Sequence, residues 1–304
     1  MEIDMKIRVS YGTALELGLE SGDIEERPTT AYLLIPGEGK CRGGCTYCNQ
    51  SNKGSKWLSR VSWPLYDLEE VKETLEESEF KRICLQSPDI PDYEEKIKST
   101  VRVLEQVPIP ISLSVPPMEK DALENLKDSV DRIGIGLDAS TDALRQEKKP
   151  SYDPKVFWKY MGDAVEVFGE GKATAHMIVG LGEDFRQLAT AIKKIDEVGA
   201  EVSLFPFTNG SDKAELSYYR RSQLVTALIT DGLTPKKAVS LVLNQPDKAL
   251  NMIDEKKAFQ TRGCPGCNRP YYTSSPGSEH RNFPRQPDPD EIERIKRTIT
   301  GDDP

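Results

Sequence analysis

The sequence predicts an α/β fold, a partial (βα)6 barrel of the TIM type, on three observations. Six short apolar runs alternate with helical runs between residues 31 and 231. A strand–helix order repeated in this way gives a parallel sheet with helices outside it. Six units fall two short of the eight that close a standard barrel, so the barrel is expected to stay open. A flat doubly wound sheet is the alternative, because periodicity alone does not separate the two.

In chain order, residues 1–30 read as an N-terminal lead-in with one short helix over 14–19. Strands are expected at 31–36, 82–87, 111–115, 132–138, 173–180 and 202–207, most of them rich in Ile, Val, Leu or Phe. The first long helix, 67–79, has Leu68, Val71 and Leu75 at helical spacing. Helices over 92–107 and 120–128 follow. The next, 153–168, has Asp153 as its cap and Pro154 at the first helical position. Helix 185–198 starts after a second cap, Asp184, and stops at Gly199. Helix 217–231 completes a barrel domain spanning 31–232. Residues 233–304 form an extension, helical over 234–254 with Pro235 and Pro246 near two helix starts. The stretch 261–290 is rich in Gly, Pro, Ser and Arg and reads as a loop, and the tail after Asp288 as a short charged helix or disorder.

Composition narrows the classes of function. The 304 residues suffice for one large barrel or two modest domains, and 30% charged with 37% hydrophobic residues suits a hydrated globular surface. No apolar run approaches the roughly 20 residues that span a bilayer. Residues 1–6 are acidic and lack the apolar segment of a secretory signal, so a cytoplasmic protein with no membrane partner is expected. A net charge of -9 argues against nucleic acid as the main partner, although Arg262, Arg269, Arg281 and Arg285 crowd one stretch. Six cysteines permit disulfides, but a chain of this size without an export signal more often uses clustered cysteines for metal or chemistry.

Cys41, Cys45 and Cys48 fall just after the first strand of the barrel, at the rim where such folds build active sites. Gly43 and Gly44 let the backbone fold tightly, so the three thiolates can converge. Three is one short of the four that close a 4Fe–4S cluster, which leaves a metal position open. A zinc site would need a histidine, and His176 and His280 are both distant in sequence. The spacing CxxxCxxC, with Tyr47 before the last cysteine, resembles the CxxxCxΦC motif of radical S-adenosylmethionine enzymes.

That resemblance implies a partial (βα)6 barrel and a 4Fe–4S cluster on Cys41, Cys45 and Cys48. It implies that the open iron chelates S-adenosylmethionine, which is cleaved to a radical that abstracts hydrogen from carbon. The resemblance in fold covers about residues 31–210. The run from His176 to Glu183 resembles the family's GxIxGxxE element, which lies against the adenine, so Ile178 and Gly180 are candidate cofactor contacts. His176 stands for the element's first glycine, and reads equally as a packed barrel residue. Where the family often has Gly-Gly-Glu after the second strand, this chain has Gln86-Ser87-Pro88-Asp89. Gln86 or Ser87 would then hold the methionine amino group through an oxygen. Ser112, Ser114 and Asp138 are candidates for the carboxylate and ribose, while Asp138 reads as readily as a helix cap.

Cys264-Pro265-Gly266-Cys267 is a CxxC knuckle in the C-terminal loop. It suits zinc or a second cluster, and the first motif favours the cluster. Cys84, on the second strand, is either a third ligand or a small buried apolar residue. Barrel-strand cysteines hold a second cluster in sulfur-inserting enzymes such as biotin synthase, and this cluster is expected at the barrel mouth. Ser274 and Ser275, just past the knuckle, are either a labile ligand of the kind lipoyl synthases use or an ordinary turn before Pro-Gly. Arg262 or Arg269 would orient a substrate, ligate the second cluster, or lie on the surface.

Two stretches, 10–14 with 28–33 and 264–272, resemble the two-component lipoyl synthases of archaea. The resemblance implies sulfur insertion into an octanoyl-lysine chain. The partners it implies are an octanoylated carrier (a lipoyl domain or an H-type glycine-cleavage protein), a second related radical subunit, and a ferredoxin or flavodoxin. The rivals are a biotin synthase-like or other radical reaction whose second cluster relays electrons, and a non-enzymatic assembly partner that holds zinc.

Overall fold

The computed structural model describes residues 5–54, 58, 61–208, 213–275 and 277–301. The chain begins with β1 (Lys6–Val9), α1 (Tyr11–Glu16), β2 (Thr30–Leu34), α2 (Asn49–Lys53), β3 (Leu65–Asp67) and α3 (Leu68–Glu76). It continues through β4 (Arg82–Gln86), α4 (Tyr93–Leu104), β5 (Ile111–Ser114), α5 (Lys120–Glu124), β6 (Arg132–Asp138), α6 (Asp142–Lys148) and α7 (Lys155–Phe168). Then come β7 (Ala173–Val179), α8 (Phe185–Glu197), β8 (Glu201–Pro206) and α9 (Leu216–Thr230). The extension holds α10 (Pro235–Asn244), α11 (Pro246–Leu250), α12 (Glu255–Ala258) and α13 (Pro289–Thr300). Residues 1–4, on which the reading of the chain's start rests, and Pro276 lie outside the described residues.

The strands form one sheet in the order β3-β1-β2-β4-β5-β6-β7-β8. Strands β2 and β4 to β8 are parallel neighbours, and these are the six expected. The sheet is unclosed, with β3 and β8 as its edges, so this is a partial barrel of the TIM type. The lead-in reading of residues 1–30 is corrected: β1 pairs antiparallel with both β2 and β3. Lys6-Ile7-Arg8-Val9 does alternate, with Ile7 and Val9 fully buried, but four residues are too few to stand out from a loop. Helix α6 also escaped the pattern, having two apolar residues, the adjacent Ala143 and Leu144, among seven.

Alternation along the strands explains why the sheet curls around a space. Ile83, Leu85, Ile133, Ile135, Ala175 and Met177 are fully buried in the core beneath the helices. The intervening residues, among them Cys84, Gln86, Ser114, Gly136, Asp138 and His176, line an inner cavity. In a flat doubly wound sheet both faces are covered by helices and both read apolar. Here the inner face of β4, β5 and β6 is mostly small or polar, with apolar side chains such as Ile178 and Phe205 on β7 and β8, which leaves a bore where an ordinary barrel packs branched aliphatic side chains.

The helix starts follow capping chemistry. Asp184 forms a full capping box with Gln187. Asp153 accepts the Lys155 N–H at 2.9 Å, but the start is shifted by one residue from the expectation: Pro154 holds the N-cap position and the helix begins at Lys155. Asp138 is not a cap: the hydroxyl of Thr141 accepts the Leu144 N–H and starts α6.

Helix α9 is buried against α8, α10 and α13, and it anchors the C-terminal loop. Arg220, with no exposed surface, donates to the carbonyls of Arg281 and His280 and pairs with Glu279. Tyr219 donates to Asn282 Oδ1 at 2.8 Å. Removing a buried guanidinium strands two carbonyls at once. Arg220→Ala is therefore expected to destabilise the chain by about 3 kcal/mol. Thermal melting checks it: Tm should fall by about 5 °C or more, and an unchanged Tm would dismiss this arginine as the loop's anchor.

Candidate active site in the barrel bore

The first cysteine loop runs over the C-terminal ends of β2, β4 and β6. Backbone hydrogen bonds hold it there: Arg42 N–H to Asp89 O at 2.8 Å, Cys41 N–H to Gln50 O at 3.2 Å, and Thr46 N–H to Lys148 O at 2.9 Å. Asp89 fastens the same loop through its carboxylate, which accepts from Arg42 at 2.6 Å and from the Tyr152 hydroxyl at 2.6 Å. Gly44 has φ +63, and a Cβ there would sit 2.6 Å from Ser151 Oγ, so the tight turn tolerates no side chain. The Asp89 N–H donates to Cys41 Sγ at 3.2 Å.

Cys41, Cys45 and Cys48 border a cavity of about 180 Å3 together with Ser87, Lys149 and Tyr152. Burial pushes the Cys45 thiol up to about 12. It raises Cys48 as well, partly offset by the backbone N–H groups of Gln50 and Ser51. Among the described residues no three His, Cys, Asp or Glu side chains converge on a single-ion position. Three thiols spread around a gap fit a cluster, which is wider than an ion, better than they fit zinc.

Below this cavity lies the bore, about 340 Å3. The two share Cys45, Cys48, Gln86, Ser114 and Gly136 as walls. Asp138 ends β6 in a left-handed conformation, φ 60, which turns its carboxylate over Gly136. There it accepts from Lys149 Nζ at 2.9 Å and from the Tyr47 hydroxyl. Lys149 also donates to Gly136 O at 2.6 Å. Burial raises the Tyr47 pKa well above its usual value, so the phenol stays a donor.

The other expected contacts divide. Ile178 lines the bore. Ser87 lines the upper cavity, where its hydroxyl donates to Pro88 O at 2.9 Å. Gly180 lines neither cavity. It turns at φ +101 with Ala214 so close that a Cβ would fall 2.8 Å from the alanine's own. Glu183 accepts the Gly180 and Leu181 N–H groups at 2.7 and 3.0 Å, so the glutamate of that element holds the turn. His176 faces the bore beside Phe205, ring centroids 5.2 Å apart. Burial lowers its pKa to about 4, which keeps it neutral.

The C-terminal loop closes the other end of the bore. Thr29, just before β2, donates to Gly266 O at 2.5 Å and, through its N–H, to Asn268 Oδ1 at 3.0 Å. Arg82, the first residue of β4, donates to Pro265 O at 3.3 Å. The Arg269 N–H donates to the Tyr32 hydroxyl at 2.9 Å, and its guanidinium lies over Phe205 and donates to Ser203 Oγ at 2.7 Å. The expected position at the barrel mouth is thus corrected: Cys264 and Cys267 sit at the N-terminal ends of the strands, because these polar residues at the strand starts bind the loop there.

Cys84, Cys264, Cys267 and Ser112 all line this lower part of the bore. Burial pushes the Cys84 thiol up, and Cys264 and Cys267 add to the shift. Tyr32 lies 3.4 Å from Cys267 Sγ by its hydroxyl, and its ring stacks 5.0 Å from Tyr272. Arg262 turns away, donating to Thr230. Ser274 and Ser275 do not line the bore: Ser274 Oγ accepts the Arg281 N–H at 2.9 Å, and Ser275 closes a turn with Ser278.

Sequence reasoning passed over Lys149, Tyr32 and Tyr272. The pair Tyr271-Tyr272 in an otherwise polar loop was a signal, since such rings seldom stay in water. Lys149 gave none.

A partial barrel with three thiols over one mouth and a bore beneath them is the architecture of a cluster-binding enzyme. The chain belongs to the Radical SAM superfamily, which it matches over residues 36–195. Membership implies a 4Fe–4S cluster and S-adenosylmethionine. Among solved structures the chain is similar to coproporphyrinogen III oxidase from Escherichia coli, described as a radical SAM enzyme, with a TM-score of 0.37 and 17% identity. The likeness covers 44% of this chain and 36% of that one, too slight to bear on activity. No curated protein sequence matches. No helix among the described residues is long and apolar enough to cross a membrane.

Proposed function

We propose that this chain is a radical S-adenosylmethionine sulfurtransferase of the lipoyl synthase kind, inserting sulfur into an octanoyl chain carried on a protein lysine. One observation carries the reading: Cys84, Cys264 and Cys267 line the same bore that opens on Cys45 and Cys48. When bound, a cluster on Cys41, Cys45 and Cys48 supplies the electron that cleaves S-adenosylmethionine, and a cluster on the lower thiols supplies sulfide.

The chain's own residues set the geometry for both. Gln86, Ser87 and Ser114 offer oxygens to the cofactor's amino group, and Asp138, fixed by Lys149 and Tyr47, offers its carboxylate to a ribose hydroxyl. Leu113, Ile178, Phe205 and Phe207 give the bore apolar walls suited to an alkyl chain and poor for water. A substrate carbon lying between the ends would face hydrogen abstraction above and the second thiol group below. The partners this requires are an octanoylated lipoyl domain or H-type carrier, a second related radical subunit, and a ferredoxin or flavodoxin.

A second reading has its own support. Gly263, Cys264 and Cys267 also line a cleft of about 780 Å3 outside the bore, so a centre held there would face the molecular surface. That favours an electron relay without sulfur loss.

The test is iron and sulfide counting on anaerobically reconstituted protein. Wild type is expected to hold about eight iron and Cys264→Ala/Cys267→Ala about four. Zinc in place of iron would sink both readings.

A further inference from the structure

We propose that Tyr32 is a positioning residue for the lower centre: its hydroxyl donates a hydrogen bond to Cys267 Sγ and sets how readily that centre takes up an electron. This rests on the centre proposed above on Cys84, Cys264 and Cys267. The hydroxyl lies 3.4 Å from Cys267 Sγ, within reach of a hydrogen bond to sulfur. Its direction follows from two neighbours. The Arg269 N–H donates to the Tyr32 hydroxyl at 2.9 Å, so that oxygen already accepts. A cysteine sulfur bound to iron is a thiolate and has no proton to give. The phenol keeps its proton at neutral pH, and that proton is the one shared with sulfur.

The fold fixes this contact from both sides. The Tyr32 N–H donates to Thr13 Oγ1 at 3.0 Å, and the Ser10 N–H donates to Tyr32 O at 3.0 Å. The register sets Tyr32 on β2 across from Cys84 on β4. Its ring packs with Leu34 and Trp63 and touches Cys84, Cys267 and Tyr272, and only 2% of the residue is exposed. On the loop side, Asn268 Nδ2 donates to Arg27 O at 2.8 Å, and the Tyr271 hydroxyl accepts the Glu26 N–H at 2.8 Å. Residues 26–32 therefore clasp the loop 264–272, and Ser10 and Thr13 hold the clasp. Segments 10–14, 28–33 and 264–272, singled out in the sequence, meet at this one hydroxyl. Packing alone would be served by phenylalanine. A donor aimed at sulfur draws charge from the thiolate and stabilises the more negative, reduced state. Burial strengthens the effect, because little water screens it. An electron relay and a sulfide donor both depend on that uptake, so the residue serves either reading.

The experiment compares wild type, Tyr32→Phe and Cys264→Ala/Cys267→Ala, all reconstituted without oxygen. Iron is counted, and each centre is titrated reductively under electron paramagnetic resonance. Tyr32→Phe keeps the ring and removes one proton donor. It should hold the full iron, about eight per chain, and its upper centre should titrate as in wild type. Its lower centre should be about tenfold harder to reduce, the size of one charge-assisted hydrogen bond and a fall of about 59 mV for one electron. Wild type exchanged into heavy water supplies a second readout. Electron nuclear double resonance on its lower centre should show a coupled deuteron that Tyr32→Phe lacks. An unchanged lower-centre potential in Tyr32→Phe would overturn the role. So would loss of iron from that variant, which would make the hydroxyl structural, or no coupled deuteron in wild type. If wild type holds only about four iron and Cys264→Ala/Cys267→Ala changes nothing, the second centre itself falls, and the role of Tyr32 with it.

Discussion

Cys45→Ala is expected to abolish cleavage of S-adenosylmethionine, lowering the yield of 5′-deoxyadenosine by about a thousandfold or more, or ~4 kcal/mol. Three thiolates are the whole protein share of this cage, so losing one leaves two, and the cluster cannot be held with a single open corner. The loop itself should survive. Its pins are backbone bonds from Arg42, Cys41 and Thr46 and the Asp89 carboxylate, none of which uses Cys45 Sγ. The folded metal-free chain carries Cys45 as a thiol, because burial holds its pKa at about 12. Replacing that neutral group with a methyl should therefore leave the metal-free melting temperature nearly unchanged. Product assay, iron count and melting on the same sample decide the matter. Substantial 5′-deoxyadenosine from Cys45→Ala would remove this thiol from the catalytic cage.

Cys264→Ala/Cys267→Ala is expected to separate the two halves of the chemistry. Cleavage of S-adenosylmethionine should stay within about threefold of wild type, or ~0.6 kcal/mol, because the upper cage touches neither residue. Sulfur-bearing product should fall below detection, since no sulfide source remains in the bore. Mass spectrometry of an octanoyl-peptide substrate would follow both products in one reaction. The wild-type control carries the discrimination between the two readings. If sulfide disappears from wild type with turnover, the lower centre is consumed. If sulfide stays constant while the substrate is altered, the relay reading stands and sulfur insertion falls.

Much of the barrel was legible because each unit carries local signals. Asp184 followed by Gln187 announces a helix start, and the six parallel strands are dense in branched residues. What escaped was short or depended on distant partners. Strand β1 has four residues and gains its stability from β2 and β3, which lie far along the chain. The inward face was also written in the sequence, as Cys84 and Gln86, Ser112 and Ser114, and Gly134, Gly136 and Asp138 on alternate positions. Reading it as the wall of a bore required knowing that the sheet curls. The same limit applies to Ser112, which pattern alone assigned to the cofactor and the fold sets across from Cys84 in the lining of the bore.

The sequence by itself determined the superfamily motif, the six parallel strands and the cysteine trio, because all three depend on residues close together in the chain. Only the tertiary structure decided that the CxxC loop seals the N-terminal end of the bore. That placement comes from Thr29, Arg82 and Ser203, polar groups at or near strand starts that bind the loop. Hydrogen bonds between segments more than 50 residues apart leave no periodicity or spacing for a sequence to display.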